Sequence, residues 1–229
     1  DRRDRPGVDG TSRLSPALKW GAIHPRQLLA DLDDERDGHR AFAGELAWRD
    51  FYADVLFHRP ETAWQNLNPT MDAIRLDTGP EARARFDVWC AGRTGFPIVD
   101  AGMRQLLATG WMHNRVRMIV ASFLVKDLHL PWQWGARHFL RHLVDGDLAS
   151  NNHGWQWSAG TGTDAAPYFR VFNPTAQQER YDPDGTYVRR WIPELGTDAY
   201  PAPMVDHASE RAEALARYRA VSGASARRR

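Results

Sequence analysis

The sequence predicts an all-α protein built as one multi-helix domain. Two observations carry this: sustained alternation of apolar and polar residues is nearly absent, while apolar residues recur at helical spacing along most of the chain. The 229 residues are 42% hydrophobic, enough for one sizeable core.

The helices are expected in chain order as follows. Ser15-Pro16 reads as an N-cap followed by proline at the first helical position, opening a short helix over 16–21, with another over 25–33. Over 39–58, Phe42, Leu46, Phe51, Tyr52, Val55 and Leu56 fall at helical spacing. A polar, proline-containing loop fills 59–80. Helices over 81–91 and 97–109 are separated by Gly92-Arg93-Thr94-Gly95-Phe96-Pro97. Residues 113–128 form an amphipathic helix and 133–144 another. From Asp145 to Phe172 the chain turns rich in Gly, Asn, Asp and Trp and reads as a long loop, a feature usually tied to function. Short helices cover 174–180 and 185–191, and a last one covers 207–221. Residues 1–221 thus make the domain, and 222–229 read as a disordered basic tail.

Charge and cysteine content narrow the setting. The net charge is +1 and the pI about 8.2, so a nucleic-acid partner requires the basic residues to cluster on one face. The lone Cys90 rules out an internal disulfide and fits a reducing, cytoplasmic location. No apolar run approaches the roughly 18 residues needed for a membrane span. Asp1-Arg2-Arg3-Asp4-Arg5 reads as an interior segment rather than a signal peptide. Ten Trp residues suit either core packing or a stacking and electron-carrying role.

Several chemistries fail to assemble. Asp145 and Asp147 lack the glycine and terminal glutamate of a calcium loop. Gly160-Thr161-Gly162-Thr163-Asp164 lacks the end of a phosphate-binding P-loop, and no Rossmann fingerprint follows a strand. His138 and His142 are four apart without the adjacent glutamate of a zinc protease, and no nucleophile-elbow serine occurs. No metal site is expected.

Four segments carry a family resemblance: Thr11-Ser12-Arg13-Leu14-Ser15-Pro16, Glu45-Leu46-Ala47-Trp48-Arg49-Asp50-Phe51-Tyr52, Trp111-Met112-His113-Asn114-Arg115-Val116-Arg117-Met118, and the run from Asp145-Gly146-Asp147 to Gly154-Trp155-Gln156-Trp157. Together, and in this order, they resemble class I cyclobutane pyrimidine dimer photolyases of the photolyase/cryptochrome family. The resemblance runs from about residue 8 to about residue 207. It implies the helical FAD-binding domain of that family, with its N-terminal α/β antenna domain absent and the antenna chromophore unknown.

The residues can be read on both levels. Hydroxyls opening a helix beside Arg13 make an ordinary cap or an anion site; the resemblance gives Thr11, Ser12, Arg13, Leu14 and Ser15 the FAD pyrophosphate. Glu45, Trp48 and Arg49 share a helix face. The family places Glu45 and Trp48 in the lesion pocket and Arg49 on the flavin side. Asn114, Arg117 and Met118 also share a face. The resemblance implies that Asn114 and Met118 touch dimer and flavin, and that Arg117 pairs with Asp145 beside the flavin ring. It further implies that Asp145 and Asp147 bond the ring, that Asn151 faces its N5, and that Trp157 is a second lesion-pocket wall. Arg115 and Arg170 resemble DNA-backbone contacts. Trp155 and Trp132 resemble the proximal and middle members of an electron-transfer chain. The terminal Trp of that chain has no evident counterpart: Leu76 falls near its place, and Trp134 and Trp89 are the candidates to replace it. His153 stands where many relatives carry glycine.

The expected function is light-driven repair of pyrimidine dimers in damaged DNA by a monomer using reduced FAD. The rival expectation is a cryptochrome, a flavin photoreceptor without repair activity. The pattern of Asn114, Asn151, Trp48, Trp157 and Met118 favours repair.

Overall fold

The structure, a computed structural model, describes residues 2–33, 35–164 and 170–226; among them there is no β-strand. Among the described residues eleven α-helices follow one another: α1 Ser15–Lys19, α2 Pro25–Ala30, α3 Asp37–His58, α4 Pro80–Cys90, α5 Pro97–Thr109, α6 Asn114–Ser122, α7 Trp132–His142, α8 Leu148–Ala159, α9 Pro174–Tyr181, α10 Thr186–Trp191 and α11 His207–Ala226. No helix among the described residues is long and apolar enough to cross a membrane.

Local chemistry fixes the ends. Asp147 caps α8 by accepting the Ser150 amide at 2.8 Å, and Asn173 caps α9 through the Ala176 amide at 3.1 Å. The His113 imidazole caps α6, its Nδ1 accepting the Arg115 amide at 3.1 Å. Gly110 and Gly160 end α5 and α8 in the left-handed conformation. Between α4 and α5, buried Asp100 accepts from the Thr94 amide at 2.7 Å, the Gly95 amide at 3.0 Å and the Tyr200 hydroxyl at 2.6 Å, pinning the turn.

The core lies where α5 and α6 meet α10 and the segment after α6. Ile98, Val99, Met103 and Leu106 of α5 pack with Val116 and Val120 of α6, Phe123, Leu124 and Tyr187. α7 and α8 approach closely because residue 135 is glycine: a Cβ there would lie 2.1 Å from the Trp155 ring.

Four expectations are corrected. The segment 145–172 is not one long loop, because α8 occupies its first half. Its buried face carries Asn152, His153 and Gln156 beside Ala149 and Trp155, so the apolar stripe that signals a helix is missing. The amphipathic stretch 113–128 is not one α-helix: α6 stops at Ser122 and a π-turn covers Phe123–Asp127. That turn buries Lys126, whose Nζ donates to the Arg170 carbonyl at 2.8 Å, and Asp127, which bonds His207. Ser15 is not the cap of α1; Leu14 is, without a side-chain bond. The last helix continues past 221 to Ala226, and 227–229 of the expected tail lie outside the described residues.

Candidate functional site

The main cleft lies between α6, the end of α7 and α8. Asn114, Arg117 and Met118 line one side; Asp145, Gly146 and Asp147 the rim; Asn151, Gly154 and Trp155 the other side. The cleft is open to solvent on one side. Three of the four sequence motifs contribute to it or to its immediate flank.

Arg117 and Asp145 organise the rim. Arg117 Nη2 donates to both Asp145 oxygens, at 3.1 and 2.9 Å, and its Nε donates to the Met112 carbonyl at 2.8 Å. The Asp145 side chain is only 2% exposed. A carboxylate so buried is tolerated because the guanidinium neutralises it.

Asn151 is oriented by α7. Its Nδ2 donates to the Ala136 carbonyl at 3.1 Å and to Asn152 Oδ1 at 2.8 Å. Both amide protons are therefore engaged, and Oδ1 is left as the acceptor this side chain can offer the cleft. Asp147 spends one oxygen on its helix cap and retains the second.

Gly154 gives the cleft clearance. It sits inside α8, where glycine costs about 1 kcal/mol relative to alanine. Nothing lies within 4 Å of where its Cβ would be, and the residue lines the cleft. A flat group can therefore lie against the α8 backbone. Trp155, 3% exposed, closes the wall and stacks edge-on against Phe139 at 5.0 Å. Gly154 and Ser150 escaped sequence reasoning; an i, i+4 pair of small residues in a polar helix was the available signal.

The other residues singled out in the sequence lie outside its lining. Trp48 on α3 is 42% exposed and stacks on Tyr52, whose ring lies parallel to that of His153 on α8 at 5.5 Å. His153 Nδ1 donates to the Ala149 carbonyl at 2.8 Å and its Nε2 lies 3.0 Å from the Thr62 hydroxyl. His153 thus joins α8 to α3 and to the turn after it, which accounts for a histidine at this position. Burial lowers its pKa and keeps it neutral. Trp48 and Trp157 each lie one helical turn from the Tyr52–His153 contact.

Glu45 pairs with Arg3, a residue the sequence reading missed, because nothing in residues 1–5 marks them as part of a site. Arg115 is held inward: Asp4 accepts from it at 3.0 Å, and its guanidinium lies 4.5 Å from the Tyr181 ring centroid. Arg170 is exposed and offers its carbonyl to Lys126.

Two groups stand apart from the main cleft. Arg49 lines a second cleft with Leu18, His24, Arg26 and Asp50, between α1, α2 and α3. Thr11 to Ser15 do not line the main cleft either. Arg13, with φ of 52°, lies over Trp111 at 5.1 Å, and Trp111 contacts His113, the cap of α6. The segment is thereby tied to the α6 end of the cleft. Trp132 is buried, its Nε1 donating to Asn66 at 2.8 Å; among the described residues no ring contact joins it to Trp155.

Residues 42–198 match the family described as the FAD binding domain of DNA photolyase. The chain is 46% identical to the deoxyribodipyrimidine photo-lyase of Escherichia coli, over 96% of this chain and 52% of that protein. It is 45% identical to the protein of that name from Vibrio cholerae, again over 96% and 52%. Among solved structures it is similar to a class III photolyase from Agrobacterium tumefaciens, with TM-score 0.87 and 43% identity over 96% of this chain and 52% of that one. It is also similar to a Synechocystis cryptochrome, with TM-score 0.84 and 33% identity over 94% and 51%. The chain spans about half the length of the curated relatives it matches.

Proposed function

This chain belongs to the family of FAD-binding domains of DNA photolyases, and we propose that it repairs cyclobutane pyrimidine dimers in DNA in a light-driven reaction. The observation that carries the reading is the cleft itself: a neutralised carboxylate at the rim, an acceptor oxygen fixed by α7, and a glycine clearing the wall beside Trp155. This donor and acceptor set fits the FAD that the family implies: Asp145, Asp147 and Asn151 offer acceptors to ring N–H groups, and Arg117 offers positive charge. Reduced FAD held there supplies a light-driven one-electron donor.

The protein's own residues bind, orient and exclude water. Arg117 pairs with Asp145 in a nearly buried rim, where hydrogen bonds to the pair are strong. Asn151, with both protons engaged, presents only Oδ1 and so favours a protonated nitrogen opposite it. Thr11 to Ser15 with Arg13 take the pyrophosphate, and Arg49 belongs to the flavin side through the second cleft. The dimer, flipped from the duplex, is received by Asn114 and Met118 at the cleft mouth and by Glu45, Trp48 and Trp157 beside it. A dimer stacks and pairs poorly, so flipping it costs less than flipping normal bases. Arg115 and Arg170 serve the DNA backbone, with Arg115 exchanging Asp4 for a phosphate. The enzyme acts as a monomer in the cytoplasm, in keeping with its single free cysteine.

The test is to compare loss of dimers from an oligonucleotide in blue light and in darkness, using reduced, flavin-loaded protein. Light-dependent restoration of pyrimidines supports repair. Bound, reduced flavin without repair favours the photoreceptor reading.

A further inference from the structure

Lys126 is 1% exposed and sits on the π-turn that follows α6. The turn is closed by the Leu128 amide, which donates to the Phe123 carbonyl five residues back at 3.0 Å. Lys126 Nζ donates to the Arg170 carbonyl at 2.8 Å, its one hydrogen bond among the described residues. The Tyr218 ring of α11 lies 5.8 Å from the ammonium, and Asp127 is its neighbour in the chain. Burial lowers the amine's pKa to about 8, so it still carries its proton at neutral pH. An ammonium taken out of water for one carbonyl is costly, and an apolar side chain would fill the same space without that cost.

The segment that Lys126 grips leads from one expected DNA contact to the support of the other. Arg170 has its carbonyl held from within while the residue stays exposed. Two residues on, the Phe172 amide donates to the buried Ser122 hydroxyl at 3.4 Å, a second tie to the end of α6. Asn173 then caps α9, and Tyr181 at the far end of α9 lies 4.5 Å from the Arg115 guanidinium. The whole stretch is thus anchored on α6, whose first turns bring Asn114, Arg117 and Met118 to the cleft. Resting on the reading of Arg170 as a DNA-backbone contact, we propose that Lys126 is a positioning residue for DNA binding: its ammonium ties the Arg170 backbone to the π-turn and so sets where that arginine meets a phosphate.

A backbone fixed before binding does not have to be ordered by the DNA, so the Arg170 contact is made at a lower entropic cost. Lys126 is too deeply buried to touch a phosphate itself and acts through residue 170. This role differs measurably from two simpler ones. A lysine that only supports the fold changes unfolding and leaves the salt dependence of DNA binding alone. A lysine that only adds to the positive field weakens binding equally with or without Arg170. A positioning lysine matters to binding only while Arg170 is present.

The test is anisotropy titration of a fluorescein-labelled, dimer-bearing duplex over a series of salt concentrations. The proteins are flavin-loaded parent, Lys126→Met, Arg170→Ala and the double variant, with circular dichroism and flavin content as checks of folding. Arg170→Ala is expected to bind more weakly, with the slope of log affinity against log salt smaller by about 0.9, the share of one phosphate. Lys126→Met is expected to bind more weakly with its slope shifted the same way, and to add nothing in the Arg170→Ala background. A parental slope in Lys126→Met, or a weakening that persists in full in the double variant, overturns the proposal. A second measurement needs no variant: deuterium uptake at the Phe172 amide of the free parent is expected to be slow before any DNA is added, and uptake at the unprotected rate overturns the proposal as well. The underlying reading fails separately. Arg170→Ala binding like the parent at every salt concentration removes Arg170 from the DNA interface and the proposal with it, while light-dependent repair by the parent tests the photolyase reading on its own.

Discussion

Arg117 holds Asp145 by giving one nitrogen to both carboxylate oxygens, at 3.1 and 2.9 Å, while the carboxylate is 2% and the guanidinium side chain 24% exposed. The pair places a charged acceptor at the cleft rim without leaving it uncompensated.

Removing the cation is the sharper perturbation. Arg117→Ala leaves Asp145 buried and unpaired, a change that costs about 3–5 kcal/mol; the guanidinium's partial exposure favours the lower end. Urea unfolding of the variant is expected to show this loss together with loss of bound flavin. Arg117→Lys keeps the charge but not the planar fork, and its stability is expected between the two.

Buried histidines set an acid limit. Burial lowers the pKa of His113 and of His138 to about 4, from about 6.5 in the unfolded chain. Between those values the unfolded chain binds more protons than the folded one, so stability rises with pH. The stability these groups allow is complete above about pH 6.5 and falls as pH drops toward 4. Burial raises the pKa of Asp127, which acts in the opposite sense. Unfolding midpoints measured from pH 4 to 7 are expected to rise with pH, and His138→Phe to flatten that rise.

An exposed indole is expected to discriminate damaged from intact DNA. Trp48 is 42% exposed, outside the residues that line the cleft, and backed by Tyr52 and His153. A base-stacking surface is worth about 1–3 kcal/mol, so Trp48→Ala is expected to weaken binding to a dimer-bearing oligonucleotide by roughly 10-fold or more. Binding to undamaged duplex, expected to rest on phosphates and to weaken with salt, is expected to stay the same. Anisotropy titrations of both duplexes decide it; equal weakening for both would show that Trp48 contributes no discrimination.

The sequence disclosed the parts of this fold whose buried faces are apolar. α3 and α5 lie within a few residues of their expected bounds because Phe42 and Leu46 of α3, and Ile98, Val99 and Leu106 of α5, repeat at helical spacing. α8 was hidden because it buries amides bonded to backbone carbonyls of the turn after α3, and an imidazole bonded to the Thr62 hydroxyl, rather than an apolar stripe. That is also why the site was better read from motifs than from periodicity. The Arg117–Asp145 pair came from the resemblance and stands in the structure. The roles of Arg3 and Gly154, and the seat of Arg49 in a separate cleft, depend on which helices face each other, which spacing along one helix does not encode.

Gly154 offers the most direct test that the cleft is a flavin site. Nothing lies within 4 Å of its absent Cβ, so the side chain of Gly154→Leu starts into open space in the cleft, and the change removes a glycine from a helix interior. The measurement is flavin bound per protein in Gly154→Leu against the parent, with thermal unfolding alongside. The expected result is an equally or more stable protein that has lost its flavin; a stable variant with full flavin content would contradict the assignment of this cleft.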